Sequence, residues 1–197
     1  MKTREMVFTT DFKTRAEDDG SKFIEGYFIR YNSETELWPG VFEEIKPEAV
    51  NASLTQNDVR CLFNHDSAFV LGRTGNQTLE LKSDANGLWG RVSINENDKA
   101  AMDVYARIQR GDINACSFGF IPLKERVENK EDGTTKFVVE EVDLIEVSAV
   151  TFPAYKDTSI AARKQDLEQC KKRAFEVRKL KTKEWLENVK TKSISSK

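Results

Sequence analysis

The chain has 197 residues, 39% of them hydrophobic and 32% charged, with a formal net charge of −2. Twelve Phe and three Trp are enough for a real core, so a wholly disordered chain is excluded. No run of about 18 apolar residues is present to span a bilayer. The polar stretch from Met1 to Asp19 lacks the apolar segment of a secretory signal, so a cytoplasmic protein is expected. Cys61, Cys116 and Cys170 are odd in number and irregular in spacing, which argues against a disulfide framework. With one histidine and no CxxC pair, no metal is expected. Neither a phosphate loop nor a dinucleotide fingerprint occurs, so no cofactor is expected.

In chain order, Phe23 to Tyr31 is β-rich, and its Gly26 marks a bulge or close packing. Lys46 to Val50 opens a short helix with Pro47 near its first turn. Val59 to Phe63 is a short strand. Leu79 to Lys82 and Leu88 to Ile94 alternate apolar and polar residues around the turn Asp84-Ala-Asn-Gly87, which predicts a hairpin. From Asp98 to Arg110, Ala101, Met102, Val104, Tyr105 and Ile108 form a helical stripe, with Gly111 as its C-cap. Asn114 to Leu123 and Phe137 to Val150 are strands flanking a polar turn at Asn129 to Thr135. Many closely spaced strands around few helices predict an α+β fold: a compact, mainly antiparallel β-barrel flanked by a few helices.

After Ile160 the composition changes. Residues 160–197 hold 12 Lys/Arg against 5 Asp/Glu, and the rest of the chain 19 against 28. Leu167, Cys170, Ala174 and Val177 form an apolar stripe, continued weakly by Leu186 and Val189. The expected division is a body over 1–158 and a basic helical tail over 159–197 with a disordered end.

Three residues attract chemical attention. His65, the only histidine, follows a short apolar strand; it is either a turn residue at the surface or a general base. Ser117, in Ala-Cys-Ser-Phe-Gly-Phe, is either a small packed residue or a nucleophile on a rigid strand, with Gly119 allowing close backbone approach. Strand alternation puts Val142, Leu144, Glu146, Ser148 and Val150 on one face. A carboxylate there needs a partner, which is either a Lys or Arg or the imidazole of His65. Cys116 is a rival nucleophile, but it points to the strand face opposite Ser117.

Taken in order, these segments resemble the prohead protease family of tailed bacteriophages, which is similar in fold to the herpesvirus assemblins. The matching pieces are Gly26-Tyr-Phe, Phe42-Glu-Glu-Ile-Lys-Pro47, Leu62-Phe-Asn-His-Asp66, Leu71-Gly-Arg-Thr74, Asp84-Ala-Asn-Gly-Leu88, Gly111 to Phe120 and Leu144 to Ala154. The chain departs from many members in reading Pro-Glu-Ala-Val at 47–50, away from the chemistry. The resemblance implies a capsid-maturation serine endopeptidase with Ser117 as nucleophile, His65 as base and Glu146 as third member. A second histidine, as in the assemblins, is not available here. The resemblance further implies the major capsid protein, scaffold segments and the protease itself as substrates. Self-association is allowed, and the site of action is the immature capsid in the host cytoplasm. Neither nucleic acid nor membrane is required. The competing expectation is a non-catalytic assembly or scaffolding protein that keeps a protease-like fold.

Overall fold

The computed structural model describes residues 3–152, together with Glu168, Lys172, Lys179, Thr182 and Lys183, each of them helical. The predicted tail stripe and disordered end lie outside the described residues. In chain order the strands are β1 (Arg4–Thr9), β2 (Lys13–Ala16), β3 (Lys22–Arg30), β4 (Thr35–Trp38) and β5 (Val41–Ile45). A 3-10 turn, Pro47–Val50, leads into the short helix α1 (Asn51–Gln56). Strands β6 (Arg60–Phe63), β7 (Asp66–Arg73), β8 (Leu79–Ser83) and β9 (Gly87–Ser93) follow, then α2 (Lys99–Arg110), β10 (Ala115–Asn129) and β11 (Thr135–Val150).

The strands form two sheets. One runs β1-β10-β11-β5-β4, with β6 paired to the second half of β11 and β7 paired to β6; the other runs β2-β3-β9-β8. Pairing is antiparallel except where β11 meets β5 and β6. Among the described residues there is no closed barrel, which corrects the barrel expected from strand spacing. The first sheet ends openly at β1 and β4, and the second sheet packs on it rather than closing it. Ile24, Phe28, Leu88 and Val92 of the second sheet share one apolar cluster with Cys116, Phe118, Phe120, Val147 and Ala149 of the first. Phe118 and Phe120 stack at 5.1 Å between ring centroids.

The predicted helix is present as α2. The Asp98 carboxylate accepts from the amides of Ala100 and Ala101, and Gly111 closes the helix at φ 89°. Ala101, Val104, Tyr105 and Ile108 are buried as the stripe requires, and Met102 packs partly buried against the core. The hairpin at Asp84–Gly87 is also found, between β8 and β9. Gly26 serves close packing: a Cβ there would stand 2.7 Å from the Phe12 ring.

The predicted alternation of β11 needs one correction. Phe120 pairs with Leu144, but Gly119 pairs with Glu146, so Ile145 is an extra residue. This β-bulge reverses the strand's parity. Val142 and Leu144 pack into the core, whereas Glu146 and Ser148 turn to the opposite face of the sheet. Ile145 itself is exposed.

Candidate active site

The outer face of the first sheet carries two cross-strand rows. Glu5, Gly119, Glu146 and Arg60 align across β1, β10, β11 and β6; one pleat away, Val7, Ser117, Ser148 and Leu62 align in the same way. Directly opposed residues point to the same side of a sheet, so the side chains of Ser117, Glu146 and Ser148 share one face. Cys116 points the other way. Its Sγ lies among the carbonyl oxygens of Phe8, Tyr27 and Phe28, and burial pushes its thiol well above the ordinary value. Cys61 is likewise buried, and its thiol too is pushed well up by desolvation. Both are inert thiols of the core.

His65 enters this face from the turn between β6 and β7. Asn64 and His65 both have left-handed backbones, φ 53° and 60°, and Phe63 pairs with Asp66 around them. This is the two-residue hairpin geometry that matches strand twist. Holding a non-glycine residue in that region costs roughly 1–2 kcal/mol, so neighbouring contacts must fix it. The Asn64 amide donates to the Ala149 carbonyl at 2.9 Å, and its Oδ1 accepts from the Thr151 amide at 2.8 Å. The His65 amide donates to Ser148 Oγ at 3.3 Å.

So fixed, the imidazole reaches over β10. Its Nδ1 is 2.7 Å from Glu146 Oε1, and its Nε2 is 3.7 Å from Glu5 Oε2, too far for a hydrogen bond. Glu5 and Glu146 flank Gly119 in register, and the ring spans the gap between them. A Cβ on Gly119 would stand 2.5 Å from Glu146 Oε1, the oxygen that takes the His65 hydrogen bond. The second carboxylate oxygen, Oε2, accepts from Ser148 Oγ at 2.6 Å. An ionised Glu146 accepts from Nδ1–H, and in the neutral imidazole that leaves Nε2 as the acceptor nitrogen.

Ser117 is fully buried and donates to the Met6 carbonyl of β1 at 3.0 Å. Its side chain makes no hydrogen bond to His65. It lies two residues from Gly119 along β10, about 6.8 Å by strand rise. The structure thus joins His65 to Glu146, places Ser117 on the same face, and leaves the hydroxyl turned toward β1. Residue patterns alone missed Ser148 and Glu5. Ser148 had a signal, as the polar neighbour of Glu146 at i+2. Glu5 had none, because its place beside the ring depends on the register of β1.

Among the described residues, no group of three or more His, Cys, Asp or Glu side chains converges as metal ligands. A cavity of about 280 Å³ lies elsewhere, lined by residues that include Glu17, Phe23, Gln77 and Arg91, and has no part in this cluster. No helix among the described residues is long and apolar enough to cross a membrane.

An imidazole oriented by a carboxylate on the face that bears a strand serine is chemistry of the hydrolase kind. Comparison with known families identifies which kind. Residues 10–173 match the Caudovirus prohead serine proteases, and the chain belongs to that family. It is therefore a hydrolase of the serine protease class. The solved structure of the bacteriophage T4 capsid assembly protease, gp21, is similar at 14% sequence identity and a TM-score of 0.48, over 76% of this chain and 99% of that one. Comparison with curated proteins gives no match.

Proposed function

We propose that the chain is the capsid-maturation endopeptidase of a tailed phage, with Ser117 as nucleophile, His65 as general base and Glu146 as the orienting acid. The observation that carries this reading is the 2.7 Å contact from His65 Nδ1 to Glu146 on the face that also bears Ser117. Turnover requires the Ser117 hydroxyl to leave the Met6 carbonyl and turn toward His65 Nε2. Ser117 Oγ then attacks a peptide carbonyl as Nε2 takes its proton, and Glu146 stabilises the imidazolium. His65 returns the proton to the leaving amine, and water hydrolyses the acyl-enzyme by the same route. The buried, core-facing Cys116 is a poor candidate for this work.

The substrates in this reading are scaffold segments, extensions of the major capsid protein and the chain itself, cut within the immature capsid in the host cytoplasm. Residues 1–158 act as the protease domain, and the basic residues 159–197 engage acidic partners of the inner shell. The second reading is a non-catalytic assembly protein. It is favoured by one observation, the fully buried Ser117 with its hydroxyl committed to Met6 rather than to His65. Co-expression with coat and scaffold proteins separates the two readings. The protease reading expects processed bands with wild type and Cys116→Ala and none with Ser117→Ala. Absence of processing by wild type would favour the assembly reading.

A further inference from the structure

The geometry points to Ser148 as a positioning residue that holds the His65–Glu146 pair in its working arrangement, an inference that rests on the protease reading above. Ser148 is fully buried, directly opposite Ser117 on β10 and Leu62 on β6. Its hydroxyl touches both partners of the pair at once: Oγ is 2.6 Å from Glu146 Oε2 and 3.3 Å from the His65 backbone nitrogen.

The proton count fixes the direction of both bonds. A serine hydroxyl has one proton and two lone pairs. The His65 amide can only donate, so Oγ accepts there, and its single proton goes to Glu146. Each bond does a different job. The bond to Oε2 prevents the carboxylate from rotating about its stem, which keeps Oε1 aimed at Nδ1. The bond from the His65 amide anchors a left-handed backbone that would otherwise drift toward a commoner conformation. One side chain thereby sets both the acid and the base, and Gly119 leaves the space in which they meet.

The same count separates this role from that of a nucleophile. Ser148 gives its proton to a carboxylate, and its contact with His65 is to the backbone rather than the ring. Nothing positions Nε2 to receive the Ser148 proton. Ser148 therefore acts through Glu146 and His65 and does not itself react.

The test uses the full-length protein, a fluorophosphonate probe with the adduct mapped by mass spectrometry, and proton NMR. Because His65 is the only histidine, a low-field imidazole N–H signal from a bond to a carboxylate has one source. Wild type is expected to label on Ser117 and to show that signal. In Ser148→Ala, labelling of Ser117 should slow by roughly 10- to 100-fold, part of the 10²–10⁴ that a positioned base contributes, and the signal should move upfield or broaden. Ser148→Thr keeps the hydroxyl and should recover most of both. Ser148→Cys fills the site with a larger atom and only a weak donor; it should behave like Ser148→Ala and serves in its place if the alanine variant does not fold. Wild-type labelling rate and an unchanged signal in Ser148→Ala or Ser148→Cys would overturn the inference, as would an adduct on Ser148. If wild type gave no adduct on Ser117, the protease reading would fail. The imidazole signal in the variants would still decide whether Ser148 holds the pair.

Discussion

Gly119 and Glu146 face one another across β10 and β11, and the absence of a side chain on one makes room for the carboxylate of the other. Gly119→Ala would drive a methyl group to 2.5 Å from Glu146 Oε1, so either the carboxylate or the strand must move. The expected outcome is a folded protein, destabilised by about 1–3 kcal/mol from overpacking. Its proteolytic rate should fall on the order of 10²-fold, because a displaced orienting group misplaces the base. Capsid-protein processing and thermal unfolding together read this out; a variant as active as wild type would show that Glu146 does not need this position. At this scale the candidate residues were legible as residues of interest, and their roles were not. The residues alone raised His65, Ser117 and Glu146 as alternatives, the resemblance gave them their roles, and the face expected to hold Glu146 beside Val142 and Leu144 is not the one it occupies. Ser148 looked like one more member of a strand face, because its importance lies in a turn that reaches it from residue 65, far away in the chain.

Among the elements, the bulge in β11 does most to shape the site. Alternation from Val142 to Val150 predicts a single face, yet Ile145 breaks it and sends Glu146 and Ser148 to the face opposite Leu144. A bulge is set by how two strands pair, and nothing in Leu-Ile-Glu-Val-Ser announces which residue is the extra one. Deleting Ile145 would restore plain alternation on one side of Glu146. Leu144 and Glu146 would then be neighbours on opposite faces, so Leu144 would stay in the core and Glu146 would stay opposite Gly119. A folded protein that keeps its processing activity is the expected result, measured on purified protein by substrate cleavage and thermal unfolding. Loss of all activity would mean that the site needs the local twist of the bulge itself. β1 was missed for a related reason. Met6-Val-Phe8 is too short an apolar run among charged residues to read as a strand, and it becomes one only by pairing with β10. By contrast, α2 was legible because its stripe and its Gly111 stop are local signals.

For the whole molecule, strand spacing revealed a β-rich α+β domain but not its closure. A barrel and two packed sheets need the same alternation and the same turns; they differ in which edges meet, and pairing between distant strands decides that. The ionic network outside the site gives a molecular prediction. Lys136 on β11 meets Glu44 at 2.9 Å, Glu34 at 3.1 Å and Glu128 at 3.3 Å. Hydrogen bonding to Lys136 and Lys130 holds Glu34 below the usual carboxylate range, and Arg126, helped by Lys136, does the same for Glu128. Burial works to raise Glu44, and Lys46 and Lys136 more than reverse it. Lys136 is in turn raised, chiefly by its bonds to Glu44 and Glu34. Carboxylates lowered by folding stabilise the native state above their unfolded value of about 4.3, and that stabilisation is lost as pH falls through their lower native values. Unfolding midpoints measured against pH should therefore drop below about pH 4.5. In Lys136→Met the midpoint at neutral pH should be lower and the acid drop shallower. A variant with an unchanged acid limb would place the pH dependence elsewhere.

The central claim is that Ser117 reacts, served by His65 and held in place through Glu146. Mapping the covalent adduct of a fluorophosphonate on the full-length protein by mass spectrometry tests it most directly. The account predicts modification of Ser117 in wild type and in Cys116→Ala, and loss of that modification in His65→Ala. An adduct on Cys116 or Ser148, or labelling of Ser117 at an undiminished rate without His65, would contradict it.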